Sequence, residues 1–449
     1  MISLAFSDIA AQVGGTLLGG ELELRRVSVD TRTLQRGDVY FALTGDQFDG
    51  HQFVEDAVAR GAAGVVVERE CGVLVPQLVV RDARRALGDS AALWCARTTA
   101  RRIALTGSNG KTTVKEMLRS ILTRLGETLA TEGNLNNDVG LPLTLFRLTE
   151  STEYAVLEMG ANHAGEIDRL ASLVKPDIAV VNNVGPAHLD GFGSLHGVAA
   201  AKGEIYEHLV GPGVAVINLD EFAADDWLAR STGSTVLGFS MRGVGDLQGR
   251  IVSDGVLEVS EAGETHTIEL PLAGEHNLCN ALTAAAVCRG LGVAWADIPL
   301  GLAAMHAVPG RLVPQAFGSV HVLDDSYNAN PASTLAALKV LAAQRGGRRW
   351  CVLGEMAELG DEAGELHGKV GKQAAQLGIE CFLSIGRHAV DARRGFGAKG
   401  LDFQDQDALI AELVDGVQAG DSVLVKGSRL ARMENVVDAL RAALSESCA

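Results

Sequence analysis

Residues 105–113 read Leu-Thr-Gly-Ser-Asn-Gly-Lys-Thr-Thr, a pattern able to hold the phosphates of a nucleotide. The apolar run Ile103-Ala104-Leu105 precedes it, and Val114, Met117, Leu118, Ile121, Leu122 and Leu125 follow at helical spacing. The order is strand, glycine loop, helix. Gly107 and Gly110 let backbone N–H groups turn inward onto phosphate oxygens, and the helix N-terminus adds a favourable dipole. Lys111 can reach the β- and γ-phosphates and Thr112 can hold magnesium, with Thr106, Ser108, Asn109 and Thr113 completing the cradle. Leu105 stands where the common form of this loop has its first glycine, so the spacing is a variant. ATP use is the expectation.

Other residues have chemistry within reach. Tyr154-Ala155-Val156-Leu157 leads into Glu158, and an acid at the carboxyl end of a strand beside the phosphate-loop strand suits magnesium. A solvated carboxylate is the plainer alternative. His188 follows the apolar Ile178–Val181 run and a Gly185-Pro186 turn, where a neutral imidazole can face a metal. Lys202, in Ala-Ala-Lys-Gly-Glu-Ile at the expected start of a helix, reads by itself as a surface lysine. Asn277 and Asn280 stand at a helix entrance and read as caps. Residues 324–331, Asp-Asp-Ser-Tyr-Asn-Ala-Asn-Pro, read as a turn between strand and helix.

The loop at 106–113 resembles that of the Mur ligases, the ATP-dependent amide-forming enzymes of peptidoglycan precursor assembly, which have the folylpolyglutamate synthetases as relatives. The resemblance continues in order along the chain. It implies that Glu158 and His188 serve two magnesium sites together with Thr112. Lys202 matches a lysine that the family carbamylates, which turns a cation into a carboxylate-like ligand and requires a depressed amine pKa. Lys111, His188 and Lys202 are the catalytic residues implied. Asn277 and Asn280, from His276-Asn277-Leu278-Cys279-Asn280, become ATP contacts, as do Asp325 and Arg311 of Pro309-Gly310-Arg311. A guanidinium there offsets charge during phosphoryl transfer.

Asp325-Ser326-Tyr327-Asn328-Ala329-Asn330-Pro331 resembles an element of the branch that adds D-alanyl-D-alanine, and Gly354–Gly360 agrees with it. An Asp-Asn-Pro-Arg element, typical of the branch that adds a diamino acid, is absent from the sequence. Asn328, Asn330, Lys426, Ser428 and Arg429 are accordingly expected at the second substrate. Ser28 and Thr31, with Thr44 and Gly45, resemble a uridine-diphosphate-binding element. Asn134 and Asn137, in Thr131–Asn137, resemble a loop that holds the sugar-peptide.

The elements that must position these groups are α/β throughout. At roughly 150 residues per domain, 449 residues suggest about three. Strand-like runs at 27–29, 39–43, 65–67 and 78–80 and a helix at 83–97 give a small N-terminal α/β domain, 1–100, with the basic stretch 97–102 as a linker. Strands at 103–105, 154–157, 178–182, 214–217 and 236–239, alternating with helices, give a central parallel sheet with helices on both faces, 101–311. Alternating positions at 247–270 predict antiparallel strands before a helix at 277–290. Strands at 320–323, 350–353, 381–385 and 422–425, with helices at 332–345, 364–377, 407–416 and 429–445, give a dinucleotide-fold-like C-terminal domain, 312–449.

The net charge of −17 argues against a nucleic-acid surface. Seven dispersed cysteines (71, 95, 279, 288, 351, 381, 448) read as reduced thiols and not as a disulfide framework or zinc site. There is no signal-peptide pattern and no apolar run near the roughly 20 residues of a membrane span, so a soluble cytoplasmic monomer is expected.

Taken together, the resemblance implies phosphorylation of the carboxylate of UDP-N-acetylmuramoyl-tripeptide by ATP, then attack by the amine of D-alanyl-D-alanine. Two alternatives stand beside it. A folylpolyglutamate-type ligase would share the ATP chemistry but leaves the N-terminal block and Asn328–Pro331 without a role. A phosphate-loop NTPase acting as a conformational switch, or a nucleotide-sensing scaffold, would need no carboxylate and amine pair.

Overall fold

The computed structural model describes residues 2–45 and 48–446. Cys448 lies outside them; the six described cysteines are all free thiols. Three main sheets follow one another along the chain. The first has five strands in the order Thr16–Leu18, Gln77–Val79, Gly64–Val67, Val39–Phe41, Val27–Ser28, parallel except for the first pair.

The second sheet has nine strands: Glu264–Glu269, Val256–Glu261, Leu247–Ser253, Thr235–Ser240, Val214–Asn218, Ile178–Val181, Arg101–Thr106, Tyr154–Glu158 and Thr128–Ala130. Its last seven are parallel. The expected antiparallel strands at 247–270 are present and extend this sheet at its far edge. Side chains along the strand Arg101–Thr106 alternate between two cores, as a period of two requires. Ile103 and Leu105 pack with Val114, Met117 and Leu278 of the helices Lys111–Leu122 and Glu275–Gly290. Ala104 faces the opposite core, shared with Ala155, Val181 and Ile217.

That second core runs on into the first sheet through the helix Ala83–Cys95. Trp94 donates its indole N–H to the Leu148 carbonyl at 3.0 Å and meets Phe146 edge-on. The expected linker at 97–102 is therefore corrected: Arg101 and Arg102 already pair with Tyr154 and Ala155 as the first residues of the strand. Their charge misled because an edge of strand reaching solvent tolerates arginine.

The third sheet has six strands in the order Val313–Phe317, Val320–Asp325, Ser422–Lys426, Arg349–Leu353, Cys381–Ile385, Leu401–Phe403, parallel after an antiparallel first pair. The helix expected at 429–445 begins later, at Glu434, because Arg432 takes a left-handed φ of 47° that ends a short turn first. The sequence reading also passed over the helix Phe6–Val13 and the edge strands Thr128–Ala130 and Val313–Phe317. Among the described residues no helix is long and apolar enough to cross a membrane.

Two helices of the third unit, Ala363–Gln376 and Ala389–Phe396, touch backbone to backbone. A Cβ on Gly371 would overlap the Ala392 carbonyl oxygen and lie 2.9 Å from its carbon. Gly371→Ala should therefore lower stability by about 1–3 kcal/mol through overpacking, read as an earlier urea midpoint of the C-terminal unit.

Candidate active site

The strand Arg101–Thr106 sits at the point where the chain reverses direction across the sheet. It passes to Thr128–Ala130 and Tyr154–Glu158 on one side, then to Ile178–Val181 on the other. The crevice above that switch point is where an open parallel sheet binds ligands. Gly107 and Gly110 lie there, with Gly110 at φ 75° as the N-cap of the helix Lys111–Leu122.

A network of amides, with Asn182 and Asn280 buried, fixes the loop. Asn109 donates its N–H to Asn183 Oδ1 at 2.8 Å, and its carbonyl accepts from Asn182 Nδ2 at 2.9 Å and Asn183 Nδ2 at 3.0 Å. Asn182 Nδ2 also reaches Asn280 Oδ1 at 2.9 Å, and Asn182 Oδ1 accepts from the Thr283 hydroxyl at 2.7 Å. Ser108 exchanges two hydrogen bonds with Gly185, at 2.9 and 3.1 Å. Thr106 is buried and donates its hydroxyl to the Met159 carbonyl at 2.8 Å.

Lys111 Nζ donates to the Gly107 carbonyl at 2.8 Å. Burial, with help from Arg311 and against Glu158, holds this amine below its ordinary pKa. Thr112 donates its hydroxyl to Glu158 Oε2 at 3.0 Å and accepts from the Arg311 guanidinium at 2.9 Å. Glu158 is 2% exposed, and its second oxygen accepts from Asn136 Nδ2 at 2.8 Å. Lys202 lies behind the crevice, 1% exposed, with its amine 5.9 Å from the centre of the Phe192 ring. Burial first, and Lys111 second, depress its pKa well below the ordinary lysine value.

Two placements are corrected. Lys202 is the penultimate residue of the helix Leu195–Gly203, not at its start. Asn277 and Asn280 lie inside the helix Glu275–Gly290, whose N-cap is Gly274, so neither caps it. Asn277 instead donates to the Ala273 carbonyl at 2.8 Å.

The third sheet closes the crevice from above. Asn330 caps the helix Pro331–Ala342 in a reciprocal capping box and also donates to Asn109 Oδ1 at 2.7 Å. Arg311 lies over the Tyr327 ring at 4.5 Å. Lys426 is buried, paired with Asp325 Oδ2 at 2.5 Å and donating to the Asn328 carbonyl at 2.9 Å. Asp325 also accepts from the Leu312 N–H at 3.2 Å. Across the seam His188 Nδ1 meets the Glu358 carboxylate, which holds that carboxyl below its ordinary pKa.

These walls enclose one cavity of about 1320 Å³. Of the residues expected at the site, it is lined by Ser108 through Thr113, Asn134, Asn137, Glu158, His188, Asn277, Asn280, Arg311, Asp325, Asn328, Asn330 and Lys426. Thr106, Gly107 and Lys202 are not in its wall; Thr106 and Gly107 lead directly into the loop, while Lys202 sits behind it. Ser428 and Arg429 stand off it too, with the Ser428 hydroxyl buried and lacking a hydrogen-bond partner among the described residues and Arg429 paired to Glu434 at 2.8 Å.

Ser28, Thr31, Thr44 and Gly45 lie apart, at the first sheet. Ser28 and Thr31 are buried in their own turn, the Gly45 N–H donates to the Phe48 carbonyl at 2.9 Å, and Thr44 pairs with Asp49 in an antiparallel bridge.

The sequence reading missed several contributors: Asn136, Asn182 and Asn183 as supports, Glu358 at the seam, and Asp220, Phe239, Met241 and His276 in the wall. The asparagines stood within motifs already singled out. The residues at 220–241 carry no local signature, because the strand ends that present them differ only by packing. Cys279 lines the cavity with an exposed thiol.

Fold and cavity together define a three-unit protein with a phosphate-loop motif at a cavity between its sheets. Family models agree: a Mur ligase family catalytic domain matches residues 23–94, a Mur ligase middle domain 105–288, and a Mur ligase glutamate ligase domain 310–429. The chain is 44% identical to the UDP-N-acetylmuramoyl-tripeptide–D-alanyl-D-alanine ligase of Escherichia coli K12, over 98% of this chain and 99% of that one. A crystal structure of MurF from Acinetobacter baumannii superposes with a TM-score of 0.93 at 36% identity, covering 98% and 99% of the two chains. MurF ligase from Thermotoga maritima in complex with ADP superposes at 0.84 and 29% identity, covering 94% and 98%. The chain belongs to the Mur ligase family.

A Cβ on Gly110 would overlap Asn280 Oδ1 and lie 2.7 Å from Asn182 Nδ2. Gly110→Ala should weaken ADP binding at least about tenfold by pushing the loop off its supports, measured by calorimetry; unchanged affinity would place the nucleotide elsewhere.

Proposed function

We propose that this chain is an ATP-dependent amide ligase that joins D-alanyl-D-alanine to UDP-N-acetylmuramoyl-tripeptide, working as a monomer in the cytoplasm. One observation carries the reading: a single cavity of about 1320 Å³ is lined at once by the phosphate loop, the Asn134–Asn137 loop and the C-terminal Asn328, Asn330 and Lys426. That exceeds the roughly 300–1,000 Å³ of a site for one drug-sized ligand, as a meeting place for several substrates must. A switch NTPase has no need of the second and third walls. The 44% identity to a ligase with this activity supports the same reading, as does the likeness to a ligase that binds ADP.

In the proposed reaction an oxygen of the tripeptide's terminal carboxylate attacks the γ-phosphorus, and the bond to ADP breaks. The D-alanyl-D-alanine amine then attacks the carbonyl carbon of the acyl phosphate, and phosphate leaves as the amine proton is lost. Backbone N–H groups of residues 110–113, Lys111 and Arg311 offset the charge of the transferring group, and the Asn134–Asn137 loop aligns the carboxylate. Closure of the third unit, through Asn330 on Asn109 and Glu358 on His188, keeps water from the acyl phosphate. Asn328, Asn330 and Lys426, which line the cavity, take the dipeptide; Ser28, Thr31, Thr44 and Gly45 would take the uridine-diphosphate end at the first sheet, apart from the cavity, and Ser428 and Arg429 would reach the dipeptide carboxylate only on leaving their present surroundings.

Magnesium fits the residues present. Glu158 and Thr112 offer one carboxylate and one hydroxyl as hard oxygen donors. That is the pattern of an ion held by one or two carboxylates and substrate phosphates. Glu158 and Thr112 would hold one ion, and His188 with a carbamylated Lys202 a second; bound there, the ions neutralise developing phosphate charge. Lys202 suits carbamylation because burial and Lys111 depress its pKa, which favours the neutral amine, the form that reacts with carbon dioxide.

Phosphate release from ATP should require both UDP-N-acetylmuramoyl-tripeptide and D-alanyl-D-alanine, with a product heavier by the dipeptide. Release indifferent to either would return the chain to the switch class. For Lys202 the sign is set by its depressed pKa: the neutral amine is present above that pKa and protonated below it. Activity in bicarbonate-depleted buffer should therefore fall toward acid pH and recover with added bicarbonate. Lys202→Ala should lose most activity, partly restored by a short-chain carboxylate; full activity of this variant rules the carbamate out.

A further inference from the structure

Lys115 lies one helical turn beyond Thr112 on the phosphate-loop helix and is 1% exposed. A buried ammonium is costly unless it is paired and hydrogen-bonded. Its amine donates to the Thr131 carbonyl at 2.6 Å and pairs with Glu116 Oε1 at 3.0 Å. Neither partner belongs to the chemistry proposed above, so the question is what the contact holds in place.

It holds Thr131. The N–H of Thr131 donates to the Val156 carbonyl at 3.0 Å, and its hydroxyl accepts from the Glu158 N–H at 3.0 Å. The last paired residues of the two strands are Ala130 and Val156, so Thr131 extends their join to the residue that carries the carboxylate. The loop 131–137 starts at this point and returns to the same carboxylate. Asn136 Nδ2 donates to Glu158 Oε1 at 2.8 Å, and the Asn136 carbonyl accepts from the Gly160 N–H at 2.8 Å. One amine on the nucleotide-binding helix thus anchors the root of the asparagine loop and, through Thr131, the backbone of Glu158.

We infer that Lys115 is a positioning residue that keeps the asparagine loop and Glu158 in register with the phosphate loop. The inference rests on the reading that this loop holds the tripeptide and that Glu158 serves the nucleotide's magnesium. If Lys115 only filled the core, its methylenes would suffice and a methionine of similar volume would replace it without functional loss.

The test is steady-state kinetics on the full-length Lys115→Met variant beside the wild type. Dipeptide-dependent turnover by the wild type tests the functional reading by itself, so the two can fail separately. In Lys115→Met, the KM for UDP-N-acetylmuramoyl-tripeptide and the magnesium concentration for half-maximal rate should each rise about tenfold or more, while ADP affinity in EDTA stays within about twofold. Thr131→Val removes the hydroxyl from the Glu158 N–H and should give the same split. The double variant should cost no more than the worse single one, since both break one chain of contacts. Wild-type tripeptide KM and magnesium dependence in Lys115→Met overturn the inference, as does a parallel loss of ADP affinity. Should Lys115→Met fail to fold, Thr131→Val decides by the same criteria.

Discussion

The structure turns on a small set of amides joined by hydrogen bonds at the crevice between two strands. The phosphate loop can present N–H groups to a nucleotide only if its turn is held elsewhere; Asn182 and Asn183 donate to the Asn109 carbonyl, and Asn280 in turn accepts from Asn182. In a low-dielectric crevice each such bond is strengthened by its neighbours, and a missing partner costs about 1–3 kcal/mol. The close approach of Asn182 and Asn280 to Gly110 also explains why that position has no side chain. Strand order follows from the same constraint, because Asn182 and Asn183 must leave the strand next to the loop and Asn280 must lie on the helix packed beneath.

Backbone strain gathers along the seam between the central and C-terminal units. Six non-glycine residues take a positive φ among the described residues, and three of them are His188 at 53°, Leu312 at 52° and Glu358 at 63°. Each such conformation costs about 1–3 kcal/mol and persists only where the surroundings impose it. His188 and Glu358 meet across the seam, and Leu312 follows the arginine that reaches Thr112. The Glu358 loop is itself held at both ends by buried His367, which accepts from the Met356 N–H at 3.0 Å and donates to the Ala363 carbonyl at 2.7 Å. With Nε2 accepting, the proton sits on Nδ1, so the clamp needs a neutral ring, and burial lowers the His367 pKa accordingly.

Much of this was legible in the sequence, for reasons that differ by residue. Strand, glycine loop and helix at 103–125 were readable because phosphate binding restricts both spacing and residue type. Glu158 could be placed because a strand end has a fixed relation to its neighbour. The antiparallel strands at 247–270 announced themselves by alternation. What failed was local context. Arg101 and Arg102 looked like a linker because charge at a strand's outer end resembles charge in a loop, and the helix start at Glu434 was hidden because nothing in Arg432 signals a left-handed turn. The seam pair of His188 and Glu358 is 170 positions apart in sequence (358 − 188), and no local pattern connects them.

Three lysines are almost wholly buried, and comparing them separates structure from chemistry. Lys426 meets Asp325 at 2.5 Å and Lys115 meets Glu116 at 3.0 Å, so each carries its charge against a carboxylate. Lys202 forms no such pair among the described residues; the charge that bears on it is Lys111, of like sign. An ammonium at Lys202 is thus opposed both by desolvation and by its neighbour. A carbamate on the same nitrogen reverses the second effect, because its negative charge would be attracted to Lys111. Burial opposes either charged form, so it is the like-charged Lys111 neighbour, unfavourable to an ammonium at this position, that would favour the proposed carbamate.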